Sequence, residues 1–143
     1  MILYRISHGL WDVYAICDAG GRCEVLEDLL DLKAGNRQQA GMAMKMLNLL
    51  QDWVPHQPQG PRTHNTNISK HLSGNVFEFK RGQKKGPKIR VLYFYGNRKE
   101  VICTKCFLKG QRMVPKSFID DAESMRNRFL KDHAAGKIQK IGV

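Results

Sequence analysis

Nowhere does this 143-residue chain run through about 18 consecutive apolar residues, so no membrane-spanning helix is expected. Its opening stretch, MILYRISHGL, lacks the apolar h-region and cleavage pattern of a secretory leader, and the cytoplasm is the expected compartment. Cysteine is scarce. Cys17, Cys23, Cys103 and Cys106 lie in or beside expected strands, too few for a dense disulfide framework and suited to a reducing compartment as buried, inert thiols. There is no internal repeat, and the glycine-rich pieces AGG and GQKKG match no phosphate-binding loop. The sharpest shortage is of acid. Between residues 62 and 116 only Glu78 and Glu100 face 14 Lys and Arg.

The chain as a whole carries a formal net charge of +11, which makes a polyanionic partner the first class to consider. The charge is unevenly spread: residues 1–60 hold 5 Lys/Arg and 7 Asp/Glu, whereas residues 61–143 hold 19 and 6. At 42% hydrophobic, the chain can bury a core without staples, and its length suits a single domain over 1–143 with a core over about 11–134.

WDVYAIC (11–17) is rich in strand formers and DAGG (18–21) marks a turn. EVLEDLLDL (24–32) has the apolar spacing of a short helix that ends at Gly35. Asn36 with Gln39 forms a capping box for a second helix, with Ala40, Ala43, Leu47, Leu50 and Val54 on one stripe and a stop at Pro55. A Pro-rich loop, PHQPQGPRTHNTN (55–67), follows, then three strands over 75–80, 88–95 and 100–109. A last helix from Pro115 to about 135 presents Phe118, Ala122, Met125 and Phe129, and Gly136 stops it. Residues 135–143 are expected to fray. The order β-αα-βββ-α implies an α+β layer architecture built on an antiparallel sheet.

The last two strands thread cations among apolar residues. Arg90 shares a face with Leu92 and Phe94, and strict alternation groups Lys105 with Val101, Cys103, Phe107 and Lys109. A two-residue turn at Gly96-Asn97 would set Arg90 opposite Cys103, and a four-residue turn would set it opposite Lys105. Either places Arg90 and Lys105 on one side of the sheet. Opposed like charges destabilise a sheet, so two readings stand: lysines that block edge pairing, or a cationic floor for phosphate with Tyr93, Phe94 or Tyr95 available to stack on a base. On either reading Arg90 is expected to be dispensable for folding.

The segment LSGNVFEFKRGQKKGPKIRVLYFYGNRKEVICTKCFLKGQRMVP followed by FIDDAESMRNRFL resembles the RelE/HigB-like toxins of bacterial toxin–antitoxin systems, in particular the phage-derived Gp49-like branch of the RelE/ParE superfamily. The resemblance rests on Leu72, Gly74, Glu78 and Lys80; on Arg90 through Tyr93; and on Phe107, Lys109 and Pro115. It spans roughly residues 11–134. It implies a RelE-like fold and a metal- and cofactor-free endoribonuclease that cuts mRNA, on or off the ribosome, and is silenced by an antitoxin, expected to be a helix-turn-helix protein. The chain departs from the family pattern at Lys80, where the family has Arg, and at Gly110, where it has Lys.

On this reading the catalytic candidates are Arg90, Lys80, Lys105, Lys109 and Arg112. RNA binding falls to His71, Glu78, Arg81, Lys84, Lys85, Lys88 and Tyr93. Arg90 suits a bidentate phosphate clamp. Lys80 or Lys105 could serve as base if neighbouring cations lower its proton affinity. Glu78 could serve instead, or neutralise Lys80. A core role for Tyr93 and a loop position for His71 are the ordinary alternatives. The CTKC spacing could join Cys17 and Cys23 in a zinc site, but strand alternation would point Cys103 and Cys106 to opposite faces, so no metal is expected. The alternative from another class is a non-catalytic binder of the same fold, either a gyrase poison or a nucleic-acid-binding phage accessory protein.

Overall fold

Side chains that alternate along a strand must find two different environments, and here each face of one sheet is given its own helical cover. The computed structural model describes residues 1–61, 65–83, 85–110 and 113–142. In chain order these form β1 (Ile2–Ser7), β2 (Asp12–Cys17), α1 (Glu24–Lys33), α2 (Arg37–Asn48), β3 (Ser69–Ser73), β4 (Val76–Gly82), β5 (Lys88–Tyr95), β6 (Glu100–Lys109), α3 (Lys116–Ala134) and β7 (Gln139–Ile141). The strands make one sheet in the order β3-β4-β5-β6-β2-β1-β7, antiparallel except for the β2–β6 and β1–β7 pairs. The α+β class and the β-αα-βββ-α core follow the expectation, with three further strands, β1, β3 and β7.

The helical hairpin covers one face. Val25 and Leu29 of α1 and Met42, Ala43 and Met46 of α2 pack on Val13, Ala15, Phe79, Ile89, Val91, Tyr93, Val101 and Cys103. The expected capping box is present: the Asn36 side chain accepts from the Gln39 backbone N–H, and the Gln39 side chain accepts from that of Asn36. Beyond Asn48 the helix widens into a π turn, Leu49–Trp53, then tightens into a 3-10 turn, Val54–His56. Pro55 has no N–H to continue an α-helical ladder, so the chain loosens as it approaches it. Helix α3 covers the other face, with Phe129 against Leu3, Tyr14, Phe94 and Ile102, and Ala122 against Val76, Leu92 and Val114. It ends where Gly136 adopts φ 67°, a left-handed value that favours glycine.

Two details of β5–β6 decide which side chains share a face. Tyr95 pairs with Val101, so the connecting loop is longer than either turn expected at Gly96-Asn97. A bulge then leaves Thr104 without a partner, because Leu92 pairs with Lys105 while Tyr93 pairs with Cys103. The bulge reverses the alternation partway along β6. Lys105, Phe107 and Lys109 therefore join Arg90 on the α3 face, while Val101 and Cys103 face the hairpin. It also puts Cys103 and Cys106 in the same core rather than on opposite faces. Cys17 and Cys23, expected as separate thiols, are joined by a disulfide.

The C-terminal segment does not fray. Strand β7 pairs in parallel with β1, Ile138 packs on the α3-side core, and Lys140 lies 2.7 Å from Glu100 and 5.1 Å from the centre of the Tyr14 ring. Truncation after Lys137 should lower unfolding free energy by about 2 kcal/mol, the value of one partly buried aliphatic side chain plus a short strand pairing, measured by urea denaturation. A frayed tail would leave the midpoint unchanged.

Candidate functional site

Strands β3, β4 and β5 project Lys70, Glu78, Lys80, Lys88 and Arg90 toward the α3 face, and the register makes them neighbours. Lys70 pairs with Glu78, Lys80 with Arg90, and Lys88 with Lys109. Helix α3 begins only at Lys116, so this end of the sheet keeps an open cavity of about 330 Å³. Its walls include those five side chains, His71 of β3, and the apolar Val114 and Ile119. Four cations thus meet one carboxylate in a small, half-apolar space, the setting in which an anion is best held.

The carboxylate is committed. Glu78, 1% exposed, accepts from Arg90 Nη1 at 2.9 and 3.0 Å, and Arg90 Nη2 donates to the Gly110 carbonyl at 3.0 Å. Among the described residues Arg90 Nε is buried with no hydrogen-bond partner. The expectation that Arg90 is dispensable for folding is therefore overturned, since it neutralises a buried charge. Glu78 partners Arg90 rather than Lys80. Lys80 makes no ion pair among the described residues. Its proton affinity is held below the ordinary lysine range, first by burial and then by Arg90, Lys70 and Lys88, with Glu78 opposing.

Several other candidates lie elsewhere. Lys105, though on the same face, does not line the cavity; its ammonium sits 4.5 Å over the Phe118 ring and 3.5 Å from Glu24. Arg81 faces the hairpin side, beside Trp53 and Ile68. Tyr93 is buried on that same side, 4.0 Å from the Phe79 ring centre and bonded to the Ser69 hydroxyl at 2.6 Å, so it is no platform for a base in the cationic cavity. Burial pushes its phenol well above the ordinary range. Lys109 pairs with Lys88 but does not line the cavity, and Lys85 is exposed in the β4–β5 loop. Lys84 and Arg112 lie outside the described residues.

His71 belongs to an edge strand, not a loop, and its Nε2 lies 2.8 Å from the Gly74 carbonyl. Lys70 was missed by sequence reasoning because SKHLS has too little apolar content to announce a strand. Once it is taken as one, alternation sets Lys70 with Leu72 apart from Ser69 and His71. Burial pushes the Cys106 thiol up to about 12, and Cys103 higher still, which disfavours the thiolates a metal would need. Among the described residues no group of three or more His, Cys, Asp or Glu is placed to hold a metal ion.

Residues 27–127 match the family described as phage derived protein Gp49-like (DUF891). That span takes in α1 from Glu27 onward, all of α2, β3 to β6, and every named residue of the cationic cavity. No curated protein matches the chain.

Replacing Arg90 by Ala should destabilise the fold by about 3–5 kcal/mol in urea denaturation, because Glu78 is left buried and unpaired. The double replacement Arg90→Met with Glu78→Leu should recover most of that loss. Equal stability of Arg90→Ala and wild type would remove the ion pair from this account.

Proposed function

The chain belongs to the phage-derived Gp49-like family, and from that membership and its cationic cavity we propose that it is the toxin of a toxin–antitoxin pair, an endoribonuclease acting on mRNA in the cytoplasm. The observation that carries the reading is Lys80: a lysine of lowered proton affinity, without an ion-pair partner among the described residues, inside a cluster of fixed cations. An amine whose proton affinity is lowered is the better acceptor for the proton of a ribose 2′-OH. The 2′-oxygen then attacks the adjacent phosphorus as the bond to the 5′-oxygen breaks, giving a 2′,3′-cyclic phosphate and a 5′-hydroxyl. Lys70 and Lys88 stabilise the charge that builds on the phosphoryl oxygens and are the ammonium groups available to protonate the leaving oxygen. Arg90 contributes its field and its orphaned Nε, not a free two-pronged clamp. The scheme draws on no metal or cofactor.

An antitoxin that silences this chemistry would cover the cavity or keep the protein from its target. A helix-turn-helix partner remains part of the proposal. One observation favours the second reading, a non-catalytic binder: the guanidinium best suited to grip phosphate is tied to Glu78 and Gly110.

Primer extension on transcripts after brief expression separates the two. New 5′ ends should appear with the wild type and vanish with Lys80→Ala, which should cut the rate by about 10²–10⁴, the usual share of proton transfer. Growth arrest without new ends would leave the binder reading. The cleavage rate should rise with pH and level off above the Lys80 pKa, at lower pH than an ordinary lysine allows. The sign follows from burial and neighbouring cations, which both favour the neutral amine. Lys80→Ala should lose that rise.

A further inference from the structure

A second cavity, of about 590 Å³, opens at the sheet rim near the β3–β4 turn, and His71 borders both cavities. Its chemistry differs from the first. Rings replace lysines: Phe77 lies 5.0 Å from Tyr95 at 71° and 5.5 Å from Tyr93 at 22°. Phe77 and Tyr95 are half-buried, so each keeps surface toward the opening. Among the described residues the single Lys or Arg on its walls is Arg126 of α3, which makes no ion pair with them.

The turn beside it is anchored. The Glu123 carboxylate accepts the Asn75 N–H at 2.7 Å and occupies the space a side chain at Gly74 would need, while Gly74 holds φ 53°. The exposed Asn75 carboxamide is thereby carried on a fixed backbone, with no side-chain hydrogen bond among the described residues.

Resting on the ribonuclease reading, we propose that this aromatic cavity takes one nucleobase of the single-stranded RNA whose phosphate sits in the cationic cavity. The base stacks on the Phe77 ring with the Tyr95 ring edge-on to it, the Asn75 carboxamide meets its hydrogen-bonding edge, and Arg126 meets the adjoining phosphate. The strand passes over β3 at His71. Charge complementarity argues for this occupant over an apolar peptide, because the cavity joins a cationic site through His71 and carries a cation of its own.

The test uses a fluorescein-labelled RNA trinucleotide with 2′-O-methyl groups throughout, which cannot be cut by 2′-oxygen attack, and versions abasic at each position, followed by fluorescence anisotropy. Loss of one particular base should weaken binding roughly 5- to 150-fold, the range for a single stacked base. Phe77→Leu should abolish that difference while leaving the affinity for that abasic version unchanged. Asn75→Ala should weaken only the base-bearing version, and its exposed side chain keeps the test valid if Phe77→Leu fails to fold. Lys80→Ala should weaken both versions by the same factor. Equal affinity for base-bearing and abasic versions, with Lys80 still required, overturns the base subsite and leaves the phosphate site standing. So does a base effect that survives both Phe77→Leu and Asn75→Ala. No binding by any version, together with uncut transcripts, overturns the ribonuclease reading and this inference with it.

Discussion

The buried Glu78–Arg90 ion pair is what allows this sheet to carry its charge. Lys80 lies opposite Arg90 and Lys88 lies opposite Lys109, arrangements that by themselves push strands apart. Two unit charges about 4 Å apart interact by about 4 kcal/mol at the effective dielectric of a protein surface, so one well-placed carboxylate offsets roughly one such repulsion. Glu78 does this from the middle strand of the three, where it pairs with Lys70 on one side and Leu92 on the other. Arg90 then ties the cluster to the Gly110 carbonyl at the end of β6, so the pair fixes strand spacing and chain path together.

The pair also divides labour among the cations. Arg90 is spent on structure, while Lys70, Lys80 and Lys88 make no ion pairs among the described residues and are left to the cavity. That division suits the side chains. A guanidinium stays charged in a buried pair and offers several donors in a fixed plane, whereas an ammonium shifts its proton affinity readily when desolvated. A lysine at position 80 is thus the residue type whose protonation burial can tune.

Much of the fold was legible because its strongest signals are local. The capping box at Asn36 and Gln39, the glycine stop at Gly136 and the apolar runs of β5 and β6 each depend on a few adjacent residues. What escaped depends on partners distant in sequence. Strands β1, β3 and β7 lie toward the sheet edges, where a strand needs less apolar surface and so leaves a weaker pattern. The same rule decided the site. Glu78, Lys80, Lys88 and Arg90 lie on strands that could be identified and were all named as candidates, whereas Lys70 lies on an edge strand and was not. Alternation sends Arg81 and Tyr93 to the hairpin face, and Lys105 lies beyond the reach of the cavity at Phe118. The Thr104 bulge could not be anticipated, yet it puts Lys105 and Lys109 on the Arg90 face, because the odd step in the loop and the odd step in β6 cancel.

Gly110 shows how the cationic site manages without a side chain at the end of β6. A Cβ there would meet nothing within 4 Å among the described residues, so packing against them does not require glycine. What the site uses at this position is the backbone carbonyl, which accepts from Arg90 whatever the side chain. Glycine in place of the lysine that the toxin resemblance leads one to expect therefore removes a cation without disturbing the ion pair that holds the sheet. Among the described residues the remaining positive charge at the cavity comes from strands: Lys70 at the edge, Lys80 and Lys88 within. Lysines on paired strands are held by register and packing, whereas a lysine past the end of β6 would sit on a chain with no ladder to fix it. In this protein the cationic site is accordingly a property of the sheet, and its geometry is as rigid as the pairing of β3, β4 and β5.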